Sequence, residues 1–198
     1  VLTLPDGRIA IAGGFTTVQG QSRHGIALLT SNGVLDPTFD PGTGIDVSLF
    51  PVQRLALSSS GKLYVMGKFT QYNGTSLSNL VRLETSGMID PTWNTTNIFS
   101  DFVTTVVELA GDKILCGGHF IQVNGVTKRS LCALSMNGDL IPEFPRSSGA
   151  AGGILNIHPN PAGNVVITGA FVGYDGVTKN RIARLINCPT DEWYPDAD

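Results

Sequence analysis

Three histidines are the first residues that could bind a metal ion or transfer protons near neutral pH. His24, His119 and His158 fall at different positions of the repeats described below, and their spacing matches no zinc motif. His119 lies beside a repeated glycine motif, so we consider a site there against the alternative of an exposed or hydrogen-bonded strand histidine. We predict no metal site and no cofactor.

Four aspartates could supply oxygen ligands for calcium: Asp36, Asp40, Asp90 and Asp191. Asp36 and Asp90 each precede a proline, a position where aspartate commonly starts a turn. No stretch of the chain has the dense run of oxygen ligands found in an EF-hand loop. We therefore interpret these aspartates as turn residues, with structural calcium as the alternative.

Nucleophilic chemistry has little support in the sequence. The serines of Ser58–Ser60 have no Gly-x-Ser-x-Gly motif around them and are typical of a turn at the end of a strand. An enzyme built on this fold, such as a glycan-acting hydrolase or lyase, would show carboxylates or histidines that break the repeat pattern on one rim. The sequence shows no such cluster, so we predict no catalytic residues and no enzymatic activity.

Two of the three cysteines occupy repeat positions that are apolar in the other repeats. Cys116 corresponds to Val65, and Cys132 corresponds to Val81. We interpret both as small core residues. The alternative is a disulfide between neighbouring strands, because the two cysteines flank one turn almost symmetrically.

One glycine motif occurs four times and could be mistaken for a phosphate-binding loop. Each copy has a glycine, a variable residue, a phenylalanine, four more residues and a second glycine. The motif residues are Gly13, Phe15, Gly20, Gly67, Phe69, Gly74, Gly118, Phe120, Gly125, Gly169, Phe171 and Gly176. The phenylalanines are 54, 51 and 51 residues apart, and no helical pattern follows them, which indicates a structural repeat.

Apolar residues at every second position lead into each motif, as in Ile9, Ile11, Gly13 and Phe15. This spacing predicts a half-buried β-strand that continues through the first glycine to the phenylalanine, which we expect in the core. The second glycine follows an asparagine or aspartate in three copies and Gln19 in the first. These pairs predict a reverse turn at the exit of the strand.

Two further strands and a closing aromatic residue complete each repeat. One strand is predicted before the motif, at Val52–Leu57, Val103–Leu109 and Ile154–Ile157, and one after it, at Ile26–Leu29, Leu80–Leu83, Leu131–Leu134 and Ile182–Leu185. The closing aromatics are Phe39, Trp93 and Phe144. The fourth repeat departs from this pattern, with Pro189 in place of the turn glycine and Trp193 two positions early.

The pattern predicts an all-β chain in which each repeat of about 51–54 residues forms one four-stranded β-propeller blade. We expect a single domain over residues 1–198, with repeats at 1–46, 47–99, 100–149 and 150–198. Four blades could close into one propeller or belong to a larger one. A β-solenoid is the alternative, although its repeats are normally shorter.

The second repeat carries a family resemblance from Gly61 to Trp93. Its glycine-phenylalanine-threonine strand, Asn73–Gly74 turn, Leu80–Leu83 strand and Asp90-Pro91-Thr92-Trp93 end resemble the delta-60 repeat family. The chain is more distantly similar to the kelch blade, through the double glycines Gly13–Gly14 and Gly117–Gly118. The resemblance implies a β-propeller in a large secreted or surface protein of bacteria, without catalytic residues.

Composition excludes some classes of partner. Charged residues make up 15% of the chain and the net charge is -3, so there is no basic surface for nucleic acid. No apolar run approaches the roughly 20 residues of a membrane-spanning helix. The chain begins with Val1 and without a signal-like segment, and we expect it to be part of a longer protein.

Candidate binding residues are those that vary around the motif. Tyr72 and Tyr174 precede the turns and are expected to be exposed; the alternative is that they pack, because Val18 and Val123 have the same repeat position. Arg82 and Arg184 share one repeat position and are expected to be exposed on their strands, with a binding surface as the second interpretation. Asn73 and Asn94 match the glycosylation sequon, which matters only in a eukaryotic secretory host.

We expect a non-enzymatic binding module of a secreted, cell-surface or virion-appendage protein, with a protein or glycan partner and a role in adhesion or assembly. A purely structural spacer is the alternative.

Overall fold

The computed structural model describes residues 1–46, 52–144, 148–187 and 193–196. It consists of two compact units, Val1–Thr96 and Asn97–Asp198, which we call unit 1 and unit 2 and describe separately. Every regular element in the described part of the chain is a β-strand, as the sequence predicts. None of the residues that the structure describes form a helix long and apolar enough to cross a membrane.

Unit 1 contains two antiparallel sheets and two small hairpins. The first sheet comprises β1 (Leu2–Thr3), β2 (Ile9–Ala12) and β5 (Ile26–Leu29), and the second comprises β6 (Arg54–Leu57), β7 (Leu63–Met66) and β10 (Leu80–Leu83). The hairpins are β3 (Thr17–Val18) with β4 (Gln21–Ser22) and β8 (Gln71–Tyr72) with β9 (Thr75–Ser76).

Unit 2 repeats this arrangement. Its first sheet, the third of the chain, comprises β11 (Val103–Leu109), β12 (Lys113–Gly118) and β15 (Leu131–Ser135); the fourth comprises β16 (Ile154–Pro159), β17 (Val165–Gly169), β20 (Ile182–Asn187) and β21 (Trp193–Pro195). The hairpins are β13 (Gln122–Val123) with β14 (Val126–Thr127) and β18 (Gly173–Tyr174) with β19 (Val177–Thr178).

The predicted fourth strand is reduced to one residue pair in three repeats. Leu83 pairs with Ile89, and the equivalent pairs are Leu29 with Leu35 and Leu134 with Leu140. In the second repeat Pro91 follows two residues later and has no N–H for the ladder, so the strand cannot lengthen. Only the fourth sheet has a regular fourth strand within the described residues, so the expectation of a four-stranded sheet in every repeat was wrong.

The prediction that the motif strand continues to the phenylalanine was also wrong. β7 ends at Met66 and β12 at Gly118, before Phe69 and Phe120. In the third repeat the ladder is interrupted because Gly118 and Phe120 both bond to Ser130. The Gly118 N–H donates to the Ser130 carbonyl, and the Ser130 N–H donates to the Phe120 carbonyl. The residue between them, His119, is displaced from the ladder, as in a β-bulge.

The asparagine-glycine turns close the small hairpins rather than the main strands. Asn73 and Asn124 have φ angles of 45° and 53°, which the side chains of most other residues disfavour. The turn prediction at these positions is confirmed, and its place in the fold is corrected.

The phenylalanines of the motif lie in the core as predicted, with one difference. Phe69, Phe120 and Phe171 are buried, whereas Phe15 is only half-buried. The closing aromatics Phe39, Trp93 and Phe144 are buried. In unit 2 the third and fourth sheets share one core, in which Leu115 and Leu131 lie with Ile154, Ile157 and Ile167.

Cys116 and Cys132 are directly opposite each other on β12 and β15, both are buried, and their thiols are free. Their interpretation as core residues is confirmed. Burial raises the pKa of the Cys116 thiol, and its hydrogen bond with Cys132 raises that pKa further. Cys188 lies outside the described residues.

The fourth repeat keeps the register of the others despite its different sequence. Leu185 pairs with Pro195, just as Leu83 pairs with Ile89 in the second repeat. The connection between the paired residues is four residues longer in the fourth repeat. Trp193 lies in β21 and is paired with Asn187. Pro189 and Asp191 lie outside the described residues.

Candidate binding surface on unit 2

The two tyrosines predicted to be exposed are fully buried, so that expectation was wrong. Tyr72 pairs with Ile45 and Tyr174 with Ala150, in the segments that enter their repeats, and this pairing turns each ring inward. The Tyr72 hydroxyl donates a short hydrogen bond to the Gly87 carbonyl. Burial, together with the charge of Asp40, raises the pKa of that hydroxyl.

Arg82 is also buried and belongs to an ion-pair network instead of a surface. Its Nε lies 2.6 Å from the Asp90 Oδ2, and its guanidinium lies 4.9 Å from the centre of the Trp93 ring. Lys62 Nζ approaches the same carboxylate oxygen at 2.9 Å. Burial would raise the pKa of Asp90, but hydrogen bonds from Lys62, Thr92 and Arg82 outweigh burial and hold it well below its usual value.

The Asp-Pro-Thr segments have the turn role that the sequence predicts. Asp90 Oδ1 accepts hydrogen bonds from the Thr92 N–H and hydroxyl, both at 2.9 Å. Asp36 accepts the same pair from Thr38 and also binds Arg8 at 3.2 Å. Because these oxygens already have donors, the two aspartates serve the fold. Within the described ranges no three His, Cys, Asp or Glu residues are grouped to hold a metal ion.

Arg184 is the one member of the predicted set that lies at the surface, with 52% of its side chain exposed. It forms an ion pair with Asp196, whose N–H donates to the Arg184 carbonyl at 2.8 Å. Asp90 makes the same backbone bond to Arg82, so Asp196 is its structural equivalent. The structure therefore does not bring Arg184 together with the other predicted residues.

The hairpins of unit 2 are fastened to the segments that enter their repeats. The Asn124 Oδ1 accepts a hydrogen bond from the Ile98 N–H at 2.8 Å, and the Asn124 N–H donates to the Ile98 carbonyl. Asp175 accepts the Ser148 N–H and hydroxyl, both at 2.9 Å. The hairpins are therefore held in place as parts of the fold.

Two neighbouring clefts lie beside these hairpins. One has a volume of about 490 Å³ and is lined by His119, Ile121, Gln122, Thr127 and Arg129; the other, of about 390 Å³, is lined by Arg129, Ser148, Val172, Asp175 and Val177. Arg129, Ala150 and Ala151 line both clefts. Clefts of this size are typical of sites that take a side chain or a small ligand.

His119 enters the first cleft because of its displaced position in the strand. Its ring is stacked on Phe102, with centroids 4.4 Å apart and planes at 24°. Gly153 lies against the imidazole, where any Cβ would collide with the ring. His119 is thus held in one orientation at the wall of a cleft, which supports the hypothesis of a site at this residue.

Arg129 supplies the positive charge of the clefts. Its side chain is exposed, and its guanidinium has no hydrogen bond or ion pair to any described residue. Its backbone is fixed, because the Ala150 N–H donates to the Arg129 carbonyl at 3.0 Å. A fixed backbone with a free guanidinium can bind an anionic group with little rearrangement.

Exposed aliphatic residues surround the clefts. Ile121 is 61% exposed and Val172 is 64% exposed. The same repeat position carries Thr16 and Thr70 in unit 1, and both are exposed. Likewise, Val126 and Val177 replace Gln21 and Thr75. We call Ile121, Val126, Arg129, Val172 and Val177 the hairpin face of unit 2.

The repeats themselves show that the hairpin face is not required for folding. Its positions are polar in unit 1, where the same hairpins form. An exposed apolar patch next to a cleft commonly marks an interaction site. Comparing the repeats position by position would have found this signal, but the sequence interpretation concentrated on residues just before the turns.

The strands and the recurring sheets together indicate a repetitive all-β protein. Three segments, 4–39, 58–92 and 161–185, match the model of a family described as a domain of unknown function (DUF5122) beta-propeller. These segments fall in the first, second and fourth repeats and support a propeller-type repeat family. Neither the curated proteins nor the solved structures that were compared include a match to the chain.

Proposed function

We propose that the chain is a non-enzymatic binding module that contacts a protein partner through the hairpin face of unit 2. The observation that carries this proposal is the exposure of Ile121 and Val172 at a position where unit 1 has threonine. Apolar contacts around a free arginine are typical of protein interfaces, in which arginine is enriched and other charged residues are depleted. A protein partner is therefore preferred over a glycan.

Each repeat is proposed to be one β-propeller blade of the delta-60 type, with four blades in this chain that form a propeller or part of a larger one. The recurrent antiparallel sheets and the propeller family match support this assignment. The proposed context is a secreted, cell-surface or virion-appendage protein that acts in adhesion or assembly. The resemblance to delta-60 repeats supports this context.

The test is a parallel screen of the intact chain on an array of extracellular proteins and on a glycan array. Two double variants, each built from residues that occur in the chain's own repeats, accompany the wild type. Ile121→Thr with Val172→Thr gives unit 2 the polar residues of unit 1, and Thr16→Val with Thr70→Ile is the matched control in unit 1. We expect protein ligands that the unit 2 variant loses and the control keeps.

Two outcomes would overturn the proposal. Ligands that appear only on the glycan array would replace the protein partner with a carbohydrate. The absence of ligands on both arrays would favour an architectural module that holds neighbouring domains or subunits in place.

A further inference from the structure

One face of the fourth sheet carries large apolar side chains in contact with solvent. Ile182 is 60% exposed, and Ile186 and Tyr194 are also exposed. Ile186 and Tyr194 are opposite each other on β20 and β21, so their side chains share one face of the sheet. Every second residue of β20 points to that side, so Ile182 and Ile186 lie on the same face and flank Arg184, which is paired with Asp196.

The third sheet shows what covers such a face in this fold. Leu131 has the repeat position of Ile182, yet it is only 1% exposed. Leu115, Leu131 and Ala133 pack against the fourth sheet in the shared core of unit 2. The contact is close, because a Cβ on Gly117 would lie 2.8 Å from the Ile154 side chain. The face of the third sheet that corresponds to the exposed face of the fourth is thus covered by the other face of the fourth sheet.

The chain itself carries a second face of the covering type. Ile9, Ile11, Phe15 and Leu29 of the first repeat are only half-buried. The equivalent residues of the fourth repeat are fully buried in the core of unit 2: Val165, Ile167, Phe171 and Leu185. The first sheet therefore has apolar residues at the positions through which the fourth sheet covers the third. In the first sheet these residues are still partly exposed.

We propose that a second copy of the chain docks the open face of its first sheet on the exposed face of the fourth sheet. The contact continues the sheet-on-sheet packing established between the third and fourth sheets. It joins two different surfaces head to tail, so it can extend to a ring or a filament. This interface does not involve the hairpin face, so it is independent of the proposed binding surface, and it rests on the four proposed blades being part of a larger assembly.

Sedimentation velocity over a range of concentrations tests the proposal. We expect the wild-type chain to self-associate and Ile182→Glu to raise the apparent dissociation constant by about tenfold or more. Met88→Glu is the control, because Met88 is 67% exposed but lies in a bend of unit 1. Circular dichroism establishes that both variants fold. A monomeric wild type, or association that Ile182→Glu leaves unchanged, would overturn the proposal.

A disulfide cross-link identifies the surfaces directly. Chains carrying Ile11→Cys are mixed with chains carrying Ile182→Cys, both with Cys188→Ser, under mild oxidation. We expect a covalent dimer that contains one chain of each kind. The absence of this mixed dimer would contradict the head-to-tail contact, whereas its loss on adding Ile186→Glu would assign it to this face.

Discussion

The Arg82 guanidinium and the Asp90 carboxylate form an ion pair of 2.6 Å in which the two side chains are only 5% and 0% exposed. Their positions in the sequence suggested a surface arginine and a turn aspartate. In the fold, the turn that begins at Asp90 places the carboxylate next to Arg82 of β10. The Arg82 guanidinium also lies against the face of the Trp93 ring. The pair joins the end of the second repeat to its central strands.

Asp90→Asn should destabilise the protein by about 3–5 kcal/mol, because it leaves a buried arginine without its counter-charge. Asp36→Asn is the matched control and should cost less, since its partner Arg8 is partly exposed and also binds Asp6. Urea denaturation measures both free energies of unfolding. Equal costs for the two variants would contradict a special role for the Arg82–Asp90 pair.

The depressed pKa of Asp90 predicts a loss of stability in acid. A carboxyl group with a lower pKa in the folded state contributes stability that is complete above its unfolded pKa, near the usual aspartate value of 3.8. That contribution is lost as the pH falls below this value toward the folded pKa. The melting temperature of the wild type should therefore fall more steeply between about pH 5 and pH 2 than that of Asp90→Asn. Parallel curves would show that Asp90 does not titrate as expected.

Much of the fold could be predicted from the sequence, because strands and turns leave local signals. The spacing of Ile9 and Ile11 and the turn at Asn73–Gly74 gave strands and a turn that the structure contains. The interruption at His119 could not be predicted, since it depends on two bonds to Ser130, which lies just before β15. Tyr72 was misplaced for the same reason: its burial depends on pairing with Ile45, far away in the sequence.

The cysteine pair should behave as an apolar pair. Changing Cys116 and Cys132 together to valine, as in Val65 and Val81 of the second repeat, should alter the free energy of unfolding by less than about 1.5 kcal/mol. In the wild type, a thiol reagent should modify both residues only after denaturation, because burial protects them. A disulfide between them in peptide mapping of the native protein would contradict the free thiols of the structure.

The Asn124 side chain holds the third-repeat hairpin through two hydrogen bonds: its Oδ1 accepts the Ile98 N–H, and its Nδ2 donates to Asn97 Oδ1 at 2.8 Å. Asn124→Gly keeps the φ of 53° accessible and removes the acceptor of the Ile98 N–H, so it should cost about 1 kcal/mol. Asn124→Asp should restore only part of this loss, because it keeps the acceptor for the Ile98 N–H but replaces the Nδ2 donor to Asn97 with a second oxygen. Hydrogen exchange at Ile98 measures the effect locally. Unchanged protection in Asn124→Gly would show that the backbone pairing is sufficient.

The most direct test of the hairpin face is a binding titration of wild type and variants against the protein ligand that the array identifies. Replacing Ile121 and Val172 by threonine should weaken binding by about tenfold or more, because each exposed aliphatic side chain would be buried in the complex. The unit 1 control, Thr16→Val with Thr70→Ile, should bind as the wild type does. Equal affinity of all three proteins would contradict a binding surface on the hairpins of unit 2.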